Sequence, residues 1–181
     1  MKRTIIQSAT YIIALCLFMA CSNDNEKKEN KNTSSNVHTY HIDIANGKTY
    51  QGNISKVSGG VYNPVSIVEY SQAIDSKVMA GTLMDTGEFQ IGIGIALDEN
   101  NKPSLKGSGP GIVFGQWGVE DKYSPSGIID ITLNNYEEHN ISIYGQDGKV
   151  ASCILNFSGK FKLGADGEEV NVTGEIVVDA P

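Results

Sequence analysis

The sequence predicts an all-β fold for residues 37–181, an antiparallel β-sandwich or flattened barrel of about ten strands. Three observations predict it. Apolar and polar residues alternate along one segment after another. Turn-forming pairs such as Asn46-Gly47, Asp147-Gly148 and Asp166-Gly167 separate these segments. No stretch keeps a helical period over three turns.

The first twenty residues are read as an address rather than as part of the fold. Lys2 and Arg3 form a positive n-region, and an apolar stretch runs from Ile5 to Ala20. At ~1.5 Å per residue that stretch is too short for a ~30 Å hydrocarbon core, so it reads as a signal peptide. It ends Leu17-Phe18-Met19-Ala20-Cys21. This junction resembles the lipobox of bacterial lipoproteins, with Phe18 where that family prefers leucine. The resemblance implies lipidation of Cys21, by diacylglycerol on its thiol and an acyl chain on its freed amine. Cys16 follows Leu15 and fits less well. The plainer alternative is a cleavable signal with an incidental cysteine. Two or three acyl chains would hold the protein on a membrane, where one binds only marginally.

Residues 21–36 contain the lipidated cysteine and a flexible tether. Ser22 to Asn36 carries no large apolar residue, so it cannot build a core. Asp24 and Glu26 resemble the acidic surface-export signal of Bacteroidota lipoproteins. That resemblance implies an outer-membrane, cell-surface location.

The domain itself, residues 37–181, is acidic at a net −9. That balance excludes a nucleic-acid partner, because phosphate contacts need a basic face. Cys153 is its one cysteine, so no internal disulfide holds it.

The elements follow in order. Tyr40-Ile42-Ile44 and Tyr50-Gly52-Ile54 flank Asn46-Gly47. A two-residue loop would place Ile42 against Gln51, whereas one more residue places Ile44 against Tyr50 and Tyr40 against Ile54. An odd loop or a bulge is therefore expected. Strands are expected at 65–70, 78–84, 88–97, 112–117 and 127–133. Turns are expected at Asp85-Thr86-Gly87 and 98–103. The same odd offset around Asp147-Gly148 would set Ile141 against Leu155 and Ile143 against Cys153. In the run from Val150 to Leu163, Ala151, Cys153, Leu155, Phe157, Phe161 and Leu163 share the inward face. Cys153 thus reads as a core residue rather than a nucleophile or ligand. The last strand carries Val170, Val172, Gly174, Ile176 and Val178 inward. Folding at Asp166-Gly167 would pair Phe161 with Val172, Phe157 with Ile176, and Gly159 with Gly174.

Three runs carry a family resemblance: Gly127-Ile128-Ile129-Asp130-Ile131-Thr132, Leu155-Asn156-Phe157-Ser158-Gly159-Lys160-Phe161 and Val170-Asn171-Val172-Thr173-Gly174-Glu175-Ile176. They resemble the small all-β lipoprotein domains of Bacteroidota, a family without established activity. The likeness covers the C-terminal third and transfers no functional residue.

No catalytic constellation is visible. His38 and His41 are three apart, which on a strand puts them on opposite faces and argues against a zinc pair. Gly107-Ser108-Gly109-Pro110-Gly111 is neither a nucleophile elbow nor a phosphate loop, and reads as an irregular connection passing close to another strand. Asp98-Glu99-Asn100-Asn101 and Glu137-Glu138-His139-Asn140 crowd oxygen ligands into turns without matching a calcium template. Asp130 has no second acid to pair with for glycoside hydrolysis. Trp117, Tyr123 and Tyr136 offer either an aromatic contact surface or core packing. No metal and no cofactor is expected. The sequence therefore favours a non-catalytic binding or accessory domain, with the membrane as partner through its anchor and a protein or glycan as ligand. The alternatives are a lipocalin-like barrel carrying a small apolar ligand and an unrecognised hydrolase.

Overall fold

The computed structural model describes residues 36–58, 61–62, 65–107, 111–143 and 145–181. The expected signal peptide, Cys21 and nearly all of the tether lie outside the described residues. The strands are β1 (Val37–Ile44), β2 (Lys48–Ser55), β3 (Val57–Ser58), β4 (Val61–Tyr62), β5 (Ile67–Ser71), β6 (Ser76–Met84) and β7 (Phe89–Leu97). They continue with β8 (Gly111–Gln116), β9 (Tyr123–Pro125), β10 (Asp130–Ile143), β11 (Gln146–Leu163) and β12 (Glu169–Val178). All but the short β3–β4 pair join one antiparallel sheet.

The eighteen-residue β11 organises that sheet. Along one edge it pairs with β12 and, at Val150, with β5. Along the other it pairs with β10 and, from Phe161 to Leu163, with β9. The path β2-β1-β12-β11-β10 forms one layer. The path β5-β6-β7-β8-β9 forms the other and returns to β11 at both ends. The sheet thus closes as a flattened barrel, as the sequence predicts.

The core lies between the layers. Tyr40, Ile42, Leu155, Phe157, Phe161 and Ile176 from the first layer meet Met79, Leu83, Phe89, Ile91, Ile95, Ile112 and Phe114 from the second. Aromatic rings pack within and across the layers. Phe89 stacks on Tyr50 at 4.5 Å, Phe114 stacks on Tyr123 at 5.1 Å, and Phe114 tilts against Phe161 at 5.5 Å between centroids. Such pairs add to the burial of their apolar area.

The expected inward face of β11 holds from Ala151 to Phe161, but Leu163, expected inward, is exposed at the end of the strand, and three registers differ. In the last hairpin Phe157 pairs with Gly174, Phe161 with Val170 and Gly159 with Val172. The expected partners, Ile176 and Val172 for the two phenylalanines, are each displaced by two residues. The cause is volume. The Phe157 ring fills the space over Gly174, where a Cβ would come within 2.3 Å of it. A β-carbon on Gly159 would lie 2.5 Å from Ile129. Apolar matching places two glycines face to face, whereas the fold sets each under a bulky neighbour.

The first hairpin is displaced in the same way. Its odd loop is present as Ala45-Asn46-Gly47, with Gly47 in the left-handed region at φ 88° and its N–H donating to Ile44 at 2.9 Å. Yet Tyr50 pairs with Ile42 rather than Ile44, and Tyr40 pairs with Gly52 rather than Ile54. A Cβ at Gly52 would sit 2.7 Å from the Tyr40 hydroxyl. That hydroxyl donates to Asp85, whose other oxygen accepts from the N–H groups of Gly87 and Phe89 at 2.8 and 2.9 Å. The expected turn at Asp85 is thereby tied to β1.

Around Asp147-Gly148 the expected turn is absent. Ile143 pairs with Gln146, Ile141 with Gly148, and both Asp147 and Gly148 lie within β11. Gly145, at φ 77°, supplies the left-handed residue instead. The odd offset arises inside β10, where a bulge separates Asn134 from Glu137 and Asn135 takes φ 54°. The bulge restores apolar pairing beyond it, with Leu133 against Leu155 and Ile131 against Phe157. Ile141 and Ile143 therefore do not face Leu155 and Cys153.

Cys153 is in the core as expected, 3% exposed. Burial pushes its thiol up to about 12, because the thiolate would lose its water. Iodoacetamide is expected to label the native protein at least about a hundredfold more slowly than the urea-unfolded chain, since little thiolate forms and access requires opening. Equal rates would place the thiol outside the core.

Candidate binding groove on the outer sheet face

The registers of β1, β12, β11 and β10 bring together outward side chains that lie far apart in sequence. One row crosses the strands as Asp43, Thr173, Ser158 and Asp130. The next runs His41, Glu175, Asn156 and Thr132. These eight residues line a groove of about 380 Å³, with Phe157 and Gly174 between the rows. Ligand sites begin near ~300 Å³.

Its electrostatics are one-sided. Asp43, Asp130 and Glu175 line it with His41, and no lysine or arginine is among its lining residues. Lys160, farther along the face, is paired with Glu169 at 3.3 Å, and that ion pair holds the Glu169 carboxyl below its usual range. The Thr49 hydroxyl donates to Asp43 at 2.6 Å, and the His41 ring lies 3.0 Å from its other oxygen. Both bonds favour the carboxylate and hold the Asp43 carboxyl below its ordinary value, the hydroxyl contributing most.

The sequence leaves Asp130 without a partner acid, yet the sheet places it on one face with Asp43 and Glu175. Asp130 and Asp43 stand on strands three apart, about 14 Å between backbones at ~4.8 Å per strand. Glycoside hydrolysis uses carboxyl groups ~5–9.5 Å apart. Asp130 and Asp43 are thus set wider than such a pair, and the groove offers acceptors and hydroxyls along a channel.

The other sequence-derived candidates are dispersed. His41 faces the groove, whereas His38 is wholly buried on the opposite face, as the spacing predicts. The ring of His139 bonds the Ser152 hydroxyl at 2.8 Å. In the first acidic turn, Asp98 accepts from the N–H groups of Asn100 and Lys102, both at 2.8 Å. The second expected turn, 137–140, is instead part of β10, paired with β11, and there Glu138 is paired with Lys77 and Lys149. Among the described residues, no group of three or more His, Cys, Asp or Glu side chains is placed to hold a metal ion. Tyr123 is in the core and Tyr136 packs half-buried against it, so of the three aromatics only Trp117 is exposed. Of the glycine-rich connection, Ser108, Gly109 and Pro110 lie outside the described residues, and Gly107, at φ 73°, passes against Ile74 in the turn between β5 and β6.

A buried polar cluster lies where β1 begins. The Nδ1 atom of His38 accepts from the Asp179 N–H at 3.1 Å. Lys56 pairs with Asp179 at 3.1 Å and donates to the Ala180 carbonyl at 2.6 Å. Desolvation, reinforced by the Lys56 charge, lowers His38 to about 4. In the unfolded chain it protonates near 6.5. Its neutral form therefore contributes stability that is complete above pH ~6.5 and drains away as pH falls toward 4. Between pH 7.5 and 4.5 this loss should reach about 2–3 kcal/mol by linkage. Urea midpoints at both pH values should fall further apart in the native protein than in His38→Gln. An equal pH response of the two would remove His38 from the account.

No protein-family model matches the chain, and neither the curated proteins nor the solved structures contain a match to it.

Proposed function

We propose that the chain is a lipid-anchored cell-envelope protein of the outer membrane, facing the cell surface, whose β domain binds a hydroxyl-rich ligand without converting it. The carrying observation is the polar groove across β1, β12, β11 and β10. Its acceptors and hydroxyls suit a glycan, and its carboxylates favour a neutral or amine-bearing one over a sulfated or phosphorylated one. A lipocalin-like site would lie inside the barrel, where the rings of Tyr50, Phe89, Phe114, Tyr123, Phe157 and Phe161 pack together. That packing supports the groove over an interior ligand. The anchor rests on Cys21 and the lipobox-like residues before it.

Both halves of the proposal have a direct test. Cys21→Ser should abolish labelled-palmitate incorporation and free the protein from membranes. Continued labelling would end the lipobox assignment. For the groove, calorimetric titration with an amino-oligosaccharide should show binding that drops at least about tenfold in Asp130→Asn/Glu175→Gln, the scale of lost charge-assisted hydrogen bonds. Preference for a sulfated oligosaccharide would overturn it.

A further inference from the structure

The strand directions sort the connections onto two poles. β1, β6, β8 and β11 run one way, and their partners return antiparallel. The loops 45–47, 85–88, 117–122 and 164–168 therefore share one pole. The start of β1 and the end of β12 lie at the other. Backbone bonds link neighbouring loops of the first pole, from Gly164 N–H to Lys122 at 3.0 Å and from Trp117 N–H to Glu88 at 2.6 Å.

This pole exposes three large apolar side chains, Trp117, Val119 and Leu163, at 54%, 50% and 42%. The loop that carries Trp117 is held in place. The Lys122 ammonium donates to the carbonyls of Gln116 and Val119, which bracket it. A tryptophan presented on a pre-ordered loop costs little to immobilise on binding, and tryptophan is enriched among residues that dominate interfaces. Five exposed carboxylates ring the same pole: Glu88, Glu120, Asp121, Asp166 and Glu168. Of the lysines there, Lys122 is on the carbonyls, Lys48 lies over the Tyr50 ring at 4.6 Å, and Lys162 stands opposite Glu169 in the hairpin.

We propose that this pole is a docking surface for a second protein, one with an apolar centre and a basic rim. Charge complementarity selects that occupant. An anionic lipid surface, and a second copy of this chain docked pole to pole, would each set like charges against the five carboxylates. The surface is separate from the groove and does not rest on the glycan reading.

The test places a photo-crosslinking p-benzoylphenylalanine at position 117 of the full chain, in the envelope of its own host. A control carries it at position 82, on the outer face of β6. Irradiation should join position 117, and not position 82, to a protein whose adducted segment is rich in lysine or arginine. That yield should fall at least about tenfold in Glu120→Lys/Asp121→Lys, as expected for reversed rim charges. Unchanged circular dichroism and thermal midpoint would show that this variant is folded. Absence of a protein adduct at 117, a lipid adduct, an adduct with the chain itself, or a yield unaffected by charge reversal would each overturn the proposal.

Discussion

Gly81→Ala is expected to abolish stable folding. A Cβ on Gly81 would stand 1.9 Å from the carbonyl oxygen of Val65 and 2.4 Å from its carbon. Both are backbone atoms, so no rotamer change relieves the overlap. Val65 is itself fully buried and precedes Ser66, whose hydroxyl donates to the Ala151 carbonyl at 2.6 Å. The Ala151 N–H returns a bond to the Ser66 carbonyl at 2.9 Å. Moving Val65 aside would pull this buried bridge between β5 and β11 apart, and one barrel corner with it. Overpacking a core costs ~1–3 kcal/mol where side chains can adjust, and more where they cannot. The expected loss is therefore above about 3 kcal/mol, a large share of the ~5–15 kcal/mol that holds a domain folded. Gly92→Ala is the control. There the nearest atom would lie 3.8 Å away, and the urea midpoint should scarcely move. Equal behaviour of the two variants would contradict the packing at Gly81.

Phe161→Ala is expected to cost ~3–5 kcal/mol in urea unfolding, the range for emptying a fully enclosed aromatic site. The ring is entirely buried and lies 5.5 and 5.9 Å from the rings of Phe114 and Phe157. Those rings come from both layers, so the cavity cannot close by the shift of one strand. A loss under about 1 kcal/mol would put Phe161 near the surface, where substitutions move stability by only ~0.5 kcal/mol.

These two sites also mark how far the sequence could be read. The inward face of β11 was legible because its alternation is local, from Ala151 through Phe157 to Phe161. Partners across the sheet were less so. Matching apolar to apolar sets Phe157 against Ile176 and Tyr40 against Ile54. The fold sets both rings over glycines, Gly174 and Gly52. A large ring fills its own volume and that of its neighbour, and pairwise hydrophobicity does not contain that information. The Asp147-Gly148 pair misleads for another reason. Its composition is that of a turn, yet Gly145 takes the left-handed position three residues earlier. Gly81 gives no local sign at all, because its constraint comes from a carbonyl sixteen residues back in the chain. The groove was half legible. Thr173, Glu175, Asn156 and Ser158 read as outward polar residues, but β1 joins β12 across more than a hundred residues. Alternation specifies a face without specifying which strand lies beside it.

The placement of β1 has a mechanical consequence. It is paired with β2 from Val37 to Ile44 and with β12 from Thr39 to Ile44, and it begins at the pole away from the Trp117 loop. Suppose the chain is held through its N-terminal side while a partner pulls on the far pole. The load then runs along β1, parallel to the strand and perpendicular to its hydrogen bonds. All of those bonds resist together in shear, and none can open singly as in unzipping. Resistance to such a load is set by the rate of forced unfolding rather than by the equilibrium stability. Traction between the two poles therefore meets the domain along its strongest axis, whereas the same force applied between residues 37 and 178, at one pole, would peel β12 from β1 a bond at a time.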